Sequence, residues 1–193
     1  MTSQDMHVID RQTVVLRDPF DDEALILALG GGGEGTMGRL RGRQVVALDR
    51  RAGELREAPP GPIKVIGEAT NLPFLDDAFD DVTAFFFLMY VAPSEQRAVL
   101  REARRVLRPG GRLYVWDVRI PENTGHAEPI FAVPLTIHLP DGTVETGYGT
   151  RWEGRTQDAA STRTLVEEAG FTLLSEEQTG ETFYQEFERT ADD

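Results

Sequence analysis

Short, largely apolar runs recur along the first two thirds of the chain, separated by glycine-rich, proline-rich or charged segments. Runs of this kind are typical of parallel strands that are buried on both faces of a sheet. The segments between them are short or helical in pattern, so the chain alternates strand and helix and is predicted to adopt an α/β fold. The five predicted strands lie at 24–29, 45–49, 63–66, 79–87 and 112–118.

The connecting segments predict helices of very different length. Only nine residues separate Gly35 from Val45, so the first helix must be very short. Ser94 is the predicted N-cap of a longer helix that runs to Leu107, where Pro109-Gly110-Gly111 ends it.

The pattern changes after the fifth predicted strand. Two loosely alternating segments flank Pro140-Asp141-Gly142, and the Asp-Gly pair predicts a β-hairpin. A helix is predicted to follow at 159–169. The last two strands, at 172–176 and 182–188, are joined by too few residues for a crossover and should be antiparallel. Residues 6–17 are predicted to form two short strands or a loose hairpin.

A glycine cluster, Gly30-Gly31-Gly32-Gly33-Glu34-Gly35, directly follows the first predicted core strand. Glycines at such a strand end let the backbone turn sharply and approach a ligand without a Cβ in the way. Asp49 closes the second strand, where a carboxylate would meet the hydroxyls of a nucleoside ribose. Together these features predict a nucleoside-cofactor site.

One interpretation of the glycine cluster is a site for a nicotinamide dinucleotide. Gly30, Gly32 and Gly35 fit the spacing G-x-G-x-x-G, with Asp49 near the expected distance. A dinucleotide fold, however, needs a full helix after the glycines to hold the pyrophosphate, and the short connection leaves no room for one.

Four segments of the chain resemble the class I S-adenosylmethionine-dependent methyltransferases. The resemblance implies a Rossmann-like, doubly wound sheet of five parallel strands plus a closing antiparallel pair, with the β-hairpin inserted after strand five. It implies S-adenosyl-L-methionine as the cofactor. The segments are Leu27-Ala28-Leu29-Gly30-Gly31-Gly32, Val46-Ala47-Leu48-Asp49, residues 67–82 with Leu72-Pro73-Phe74, and residues 105–113.

The resemblance also implies roles for individual residues. The glycine backbone would approach the methionine part of the cofactor, the first carboxylate would bind the ribose, the second would bind the adenine with the following backbone N–H, and two aromatic residues would border the sulfonium. In that order, these residues are Gly30, Gly31, Gly32, Asp49, Glu68, Ala69, Phe85 and Phe86.

The implied reaction is a direct in-line methyl transfer to a small-molecule acceptor. It needs no metal, the histidines are not spaced as a metal site, and a general base is required only if the acceptor loses a proton. Asp117, His138 and Tyr90 are weak candidates for that base. Ala28 replaces the acidic residue that the family often has before the glycines, so the alternative is a binding module without catalysis.

Composition limits the partners of the chain. With 193 residues and no cysteine, it should form one domain over 1–193 without disulfides or thiolate sites. A net charge of −13 disfavours nucleic acid and anionic membranes, and the default compartment is the cytoplasm. Residues 1–22 are an amino-terminal extension, and residues 121–155 are read either as a substrate lid or as a structural hairpin that could form a homodimer.

Overall fold

The structure, a computed structural model, describes residues 5–190; residues 1–4 and 191–193 at the two ends of the predicted domain lie outside them. The described residues form eleven strands and four α-helices. The strands are β1 (Met6–Val8), β2 (Gln12–Val15), β3 (Ile26–Leu29), β4 (Val45–Asp49), β5 (Ile63–Ile66), β6 (Phe79–Phe85), β7 (Leu107–Val118), β8 (Ile130–Leu139), β9 (Gly142–Arg151), β10 (Phe171–Thr179) and β11 (Thr182–Arg189). The helices are α1 (Thr36–Arg41), α2 (Ala52–Glu57), α3 (Pro93–Val106) and α4 (Ala159–Glu168).

A seven-stranded sheet forms the centre of the molecule, in the order β10-β11-β7-β6-β3-β4-β5. The strands from β7 to β5 are parallel, whereas β11 pairs antiparallel with β7 and β10 pairs antiparallel with β11. The sheet is therefore mixed, and the predicted α/β fold is confirmed. The carboxyl ends of β3, β4, β6 and β7 meet along one edge, here called the carboxyl edge.

A second, smaller sheet is built on the predicted hairpin. β8 and β9 pair antiparallel along their whole length, from Ile130↔Arg151 to Leu139↔Gly142. β1 and β2 both pair parallel with β8, one after the other. The two short strands predicted over 6–17 are therefore present, but the loose hairpin proposed for them is wrong, because each strand pairs with β8 and not with the other.

The two faces of the main sheet are covered differently. One face packs against α3 and α4, through residues such as Leu27 and Val115. On the other face, α1 has only six residues and covers little of the apolar surface. The second sheet covers the rest: alternate residues of β8, among them Val133 and Leu135, pack with Trp116 in one buried cluster. The short helix α1 and the second sheet together cover this face of the main sheet.

The boundaries of α3 differ from the prediction. The helix begins at Pro93 with Ala92 as N-cap, so Ser94 is not the cap. A proline is well suited to this first position, because its fixed φ is helical and its missing N–H would have no partner there. Leu107, the predicted last helical residue, instead begins β7 by pairing with Phe79.

Helix α3 also holds the Leu72-Pro73-Phe74 loop. The Leu72 backbone N–H donates to the Glu102 carboxylate at 2.7 Å, and Arg105 donates to the carbonyl oxygens of Leu72 and Phe74 at 3.1 and 2.9 Å. Arg105 also donates to Glu102, at 2.8 Å. The loop that follows β5 is thereby fixed against the helix side of the sheet.

Within residues 5–190, no helix combines the length and the apolar character needed to cross a membrane.

Candidate functional site

The glycine cluster turns inward immediately after β3. Gly30 has a φ of +66°, and a Cβ on it would lie 2.7 Å from the Phe87 ring. A Cβ on Gly31 would lie 2.8 Å from the Cβ of Ala47, on the neighbouring strand. The backbone of this loop therefore packs so closely against β4 and the segment after β6 that side chains are excluded.

Asp49 lies against the same loop. A Cβ on Gly32 would lie 2.9 Å from Asp49 Oδ2 and would clash with the Cβ of Glu54. Asp49 Oδ1 accepts a hydrogen bond from the Arg51 backbone N–H at 2.8 Å, and within residues 5–190 no donor is found for Oδ2. The half-buried carboxylate thus stabilises the turn into α2 with one oxygen and offers the other beside the glycine loop.

The segment after β5 comes to the same place. The Gly67 backbone N–H donates to the Asp49 carbonyl oxygen at 3.1 Å, which brings the following residues beside the end of β4. Glu68 pairs with Asn71 in an isolated antiparallel bridge, and its side chain is exposed. Ala69 is half-buried. The structure therefore brings the glycine loop, Asp49 and Glu68 together at the carboxyl edge.

Aromatic residues follow β6. Phe86 has a φ of +47°, which is strained for a residue with a Cβ, and its backbone N–H donates to the Trp116 carbonyl oxygen at 2.7 Å. Its ring centroid lies 5.0 Å from that of Phe85 and 5.3 Å from that of Tyr148. Strained backbone of this kind is often found at ligand sites, where the surrounding packing maintains it.

The second sheet reaches across to the glycine loop through Glu34. Tyr148 donates its hydroxyl to Glu34 Oε2 at 3.1 Å, and the Thr146 hydroxyl donates to Glu34 Oε1. Burial raises the pKa of Tyr148, and the nearby Glu34 carboxylate raises it further. Strand β9 therefore lies over the loop and is tied to it by a carboxylate.

Glu34, Thr146 and Tyr148 have no role in the site that the sequence predicts. Alternation could have found the two β9 residues: they lie directly opposite the buried residues Leu135 and Val133 of β8, and so face the main sheet. Their partner Glu34 lies on the glycine loop, where no alternation of apolar and polar residues marks it.

The three candidates for a general base lie in different environments. Tyr90 lies beside the second sheet and accepts a hydrogen bond from the Gly149 backbone N–H at 3.2 Å. Burial raises the pKa of Tyr90 to about 12, so its phenol stays protonated at neutral pH. His138 is exposed and pairs with Thr143 on the outer face of the hairpin, opposite the face that carries Tyr148.

Asp117 is fully buried at the end of β7. Its carboxylate accepts hydrogen bonds from the Met89 N–H at 3.1 Å, the Val118 N–H at 2.9 Å and the Gln157 side chain at 2.8 Å. Burial raises the pKa of Asp117 to about 7. This carboxyl braces the turn after β6 and has no surface that an acceptor could reach.

A cleft of about 320 Å³ opens between β2 and the closing strand pair. Its aromatic lining residues are Phe86, Trp116, Phe183 and Tyr184, and the ion pair between Arg17 and Glu177 also lies at its lining. A wider cleft of about 730 Å³ lies away from the candidate site, among charged residues of α3 and the end of α4. The aromatic cleft shares Phe86 with the aromatic residues at the carboxyl edge.

Comparison with known proteins shows what the central part of the chain is similar to. Residues 27–115 match the family model described as a methyltransferase domain, and this segment contains the glycine loop, Asp49 and the aromatic residues after β6. This central part of the chain is therefore similar to the methyltransferase domain that the family model describes. The family resemblance in the sequence is therefore confirmed.

Relatives of this methyltransferase domain match over a limited segment. A demethylmenaquinone methyltransferase from Mycobacterium tuberculosis is 53% identical over 72 residues, which cover 37% of this chain and 28% of the relative. Another, from Mycobacterium sp. strain KMS, is 46% identical over 76 residues, covering 39% of this chain and 30% of the relative. The chain thus matches under a third of the length of either relative.

Solved structures match the methyltransferase fold over most of the chain. A SAM-dependent methyltransferase from Methanosarcina mazei superposes with a TM-score of 0.66 at 16% identity, covering 90% of this chain and 95% of that one. The cyclase SpnF superposes with a TM-score of 0.62 at 18% identity, covering 86% and 75%. At these identities the likeness shows the fold alone.

Proposed function

We propose that this chain binds S-adenosyl-L-methionine at the carboxyl edge and transfers its methyl group to a small-molecule acceptor. The observation that carries the proposal is the position of Asp49, whose Oδ2 lies beside the bare glycine backbone. A carboxylate there can accept hydrogen bonds from both ribose hydroxyls while the glycine loop runs along the methionine part. Glu68, with the Ala69 backbone N–H, would hold the adenine.

Methyl transfer from a sulfonium requires no covalent intermediate with the protein. A lone pair on the acceptor forms a bond to the methyl carbon as the carbon–sulfur bond breaks, and its electrons leave on the neutral thioether. The protein mainly orients the reactants and excludes water. The face of the half-buried Phe85 is suited to lie beside the sulfonium cation, and Phe86, which is 2% exposed, packs against Phe85.

The aromatic cleft beside Phe86 supports an apolar, planar acceptor. Its aromatic residues belong to β7, β11 and the segment after β6, and it shares Phe86 with the candidate cofactor site. The mycobacterial relatives are named for demethylmenaquinone, and an apolar acceptor of that kind fits such a lining. In this proposal, residues 121–155 form the lid, because β9 is tied to the glycine loop through Glu34.

The departure at Ala28 has a structural basis. Ala28 is 2% exposed and packs in the cluster between the two sheets, where a carboxylate would be buried. The acidic side chain of this loop is instead Glu34, which the second sheet engages. At the position where the family often has an acidic residue, this chain therefore has an apolar residue that packs in the core.

The test is a calorimetric titration of the full chain with S-adenosylhomocysteine, with NAD run in parallel. We expect micromolar binding of S-adenosylhomocysteine and none of NAD. Asp49→Asn keeps an oxygen for the Arg51 N–H but loses one ribose acceptor, so it should weaken binding by at least about tenfold. Asp22→Asn, at a fully exposed carboxylate, should bind like the wild type.

The alternative is a binding module that keeps the fold without methyl transfer. The observations in its favour are Ala28 at the family's acidic position and the six-residue helix α1 after the glycine loop. Tight S-adenosylhomocysteine binding without methyl release from S-adenosylmethionine, across a panel of apolar quinol and phenol acceptors, would favour this alternative. Binding of NAD instead would overturn both proposals.

A further inference from the structure

Two of the three histidines of the chain meet at the base of the hairpin. His7 lies on β1, and His126 lies with Glu128 in the loop that leads into β8. One ligand atom from each of these three residues lies within 4.8 Å of the others. This cluster is separate from the glycine loop and Asp49, and the proposed methyl transfer makes no use of it.

Strand pairing explains why distant residues converge here. β1 pairs parallel with the start of β8, so His7 lies beside Phe131, and the loop just before β8 returns to the same place. The loop is held in shape by Asn123, whose side-chain oxygen accepts hydrogen bonds from the backbone N–H groups of Gly125 and His126.

Trp152 forms the floor of the cluster. Its ring centroid lies 4.6 Å from that of His7 and 5.0 Å from that of His126, and the residue is only 2% exposed. The indole N–H donates to the Pro121 carbonyl oxygen at 2.6 Å. A rigid apolar wall therefore limits how far the two imidazoles can turn away from each other.

Two imidazole nitrogens and one carboxylate oxygen are a donor set that suits divalent transition metals. With metal–ligand distances of about 2.1 Å, ligands around a tetrahedral zinc ion are roughly 3.4 Å apart. Because the ligand atoms lie within 4.8 Å of one another, each pair would need to approach by up to about 1.4 Å. His126 is exposed and Glu128 half-buried, so their side chains have room for that adjustment.

We propose that His7, His126 and Glu128 bind one divalent transition metal ion of the zinc class. The ion would link the amino-terminal strand to the loop at the base of the hairpin, and its remaining coordination positions would be filled by water. Because the ligands come from two segments that are far apart in sequence, binding requires the folded chain and should stabilise it.

The test is a calorimetric titration of the full chain with Zn²⁺, repeated with Co²⁺ and read by visible absorption. We expect one ion per chain. His126→Gln and Glu128→Gln should each weaken binding by at least about tenfold and reduce the Co²⁺ absorption band. The matched controls are His138→Gln, which removes the histidine outside the cluster, and Glu122→Gln, which alters an exposed carboxylate of the same loop. Both controls should bind like the wild type.

A second measurement checks that the variants fold. At a hundredfold excess of Zn²⁺ over its Kd, the melting temperature of the wild type should rise by roughly 5–10 °C. The shift should be lost in His126→Gln and kept in His138→Gln, while both bind S-adenosylhomocysteine like the wild type. No Zn²⁺ binding by the wild type, or equal binding by all five proteins, would overturn the proposal; the second outcome would assign the ions to the acidic surface in general.

Discussion

The buried carboxyl of Asp117 makes the stability of the fold depend on pH. Its pKa is raised by burial to about 7, from an ordinary value of 3.8. The folded state therefore binds this proton more tightly than the unfolded chain does. The stability that this group contributes is fully present below about pH 4, and it is lost as the pH rises toward 7.

Replacing Asp117 by Asn should remove this dependence. We expect the free energy of unfolding of Asp117→Asn, relative to wild type, to rise by about 2–3 kcal/mol between pH 5 and pH 8. Urea unfolding at the two pH values measures it. Asp22→Asn, whose side chain is fully exposed, should keep the wild-type dependence. An unchanged pH dependence in Asp117→Asn would show that another group is responsible.

At the level of residues, the sequence predicts which side chains come to one edge when each lies at the end of a strand. Asp49 ends one strand of the parallel sheet and Glu68 follows the next, so the fold brings them to one edge. His7 and His126 could not be paired from their spacing, because β1 reaches the loop only through its pairing with β8. Contacts that depend on the choice of strand partner leave no local trace in the sequence.

Helix α3 stabilises the loop after β5 through a charged pair. Hydrogen bonds from Arg105 lower the pKa of Glu102, whose side chain is 19% exposed. The contribution of a carboxyl with a lowered pKa is fully present above its unfolded value, here 4.5, and is lost as the pH falls through the folded value.

Glu102→Gln should therefore destabilise the protein by about 1–2 kcal/mol at pH 7. The difference from wild type should shrink steadily as the pH is lowered below 4.5, because the carboxyl is protonated first in the unfolded chain and, below its lowered pKa, in the folded protein as well. Denaturant unfolding across this range provides the measurement. If the difference at pH 7 persists unchanged into the acid range, the charge of Glu102 does not stabilise the loop.

The hairpin depends on the glycine loop through Glu34. Glu34→Gln weakens the hydrogen bonds from Thr146 and Tyr148, and one net hydrogen bond is worth about 1 kcal/mol. We expect backbone amides of β9 to exchange about fivefold faster with deuterium, while those of β3 and β6 are unaffected. Glu145→Gln, at an exposed position of the same strand, is the control, and equal protection in both variants would contradict the link.

The elements themselves were predicted more reliably than their partners. The lengths of α1 and of the hairpin strands follow from spacing and alternation, which are properties of neighbouring residues. The attachment of β1 and β2 to β8 follows from which apolar faces remain uncovered. That depends on the short α1 and on the inserted sheet together, so no single segment of the sequence predicts it.

At the scale of the whole molecule, the two sheets share one buried cluster and should unfold together. Leu135 on β8 is fully buried in that cluster. Leu135→Ala should cost about 3 kcal/mol and lower the melting temperature by roughly 6–12 °C. Thr136→Ala, on the outer face of the same strand, should change it little.

Tryptophan fluorescence can test this cooperativity directly. Trp116 lies on the main sheet, and Trp152 closes the second sheet. In Leu135→Ala, each tryptophan, observed alone after changing the other to Phe, should report the same midpoint. Two separate midpoints would mean that the second sheet unfolds as an independent unit.

The tight packing of the glycine loop has a consequence for how such motifs are read. Gly31 and Gly32 are confined by Ala47 and Glu54, which belong to the protein and are present whether or not a ligand binds. A descendant of this chain that had lost its cofactor would still be held to glycine at both positions by its own folding. Asp49 is held by its hydrogen bond from the Arg51 N–H, which the oxygen of an Asn could also accept. Its charge would therefore be lost more easily in such a descendant, and the carboxylate is the better marker of a working site.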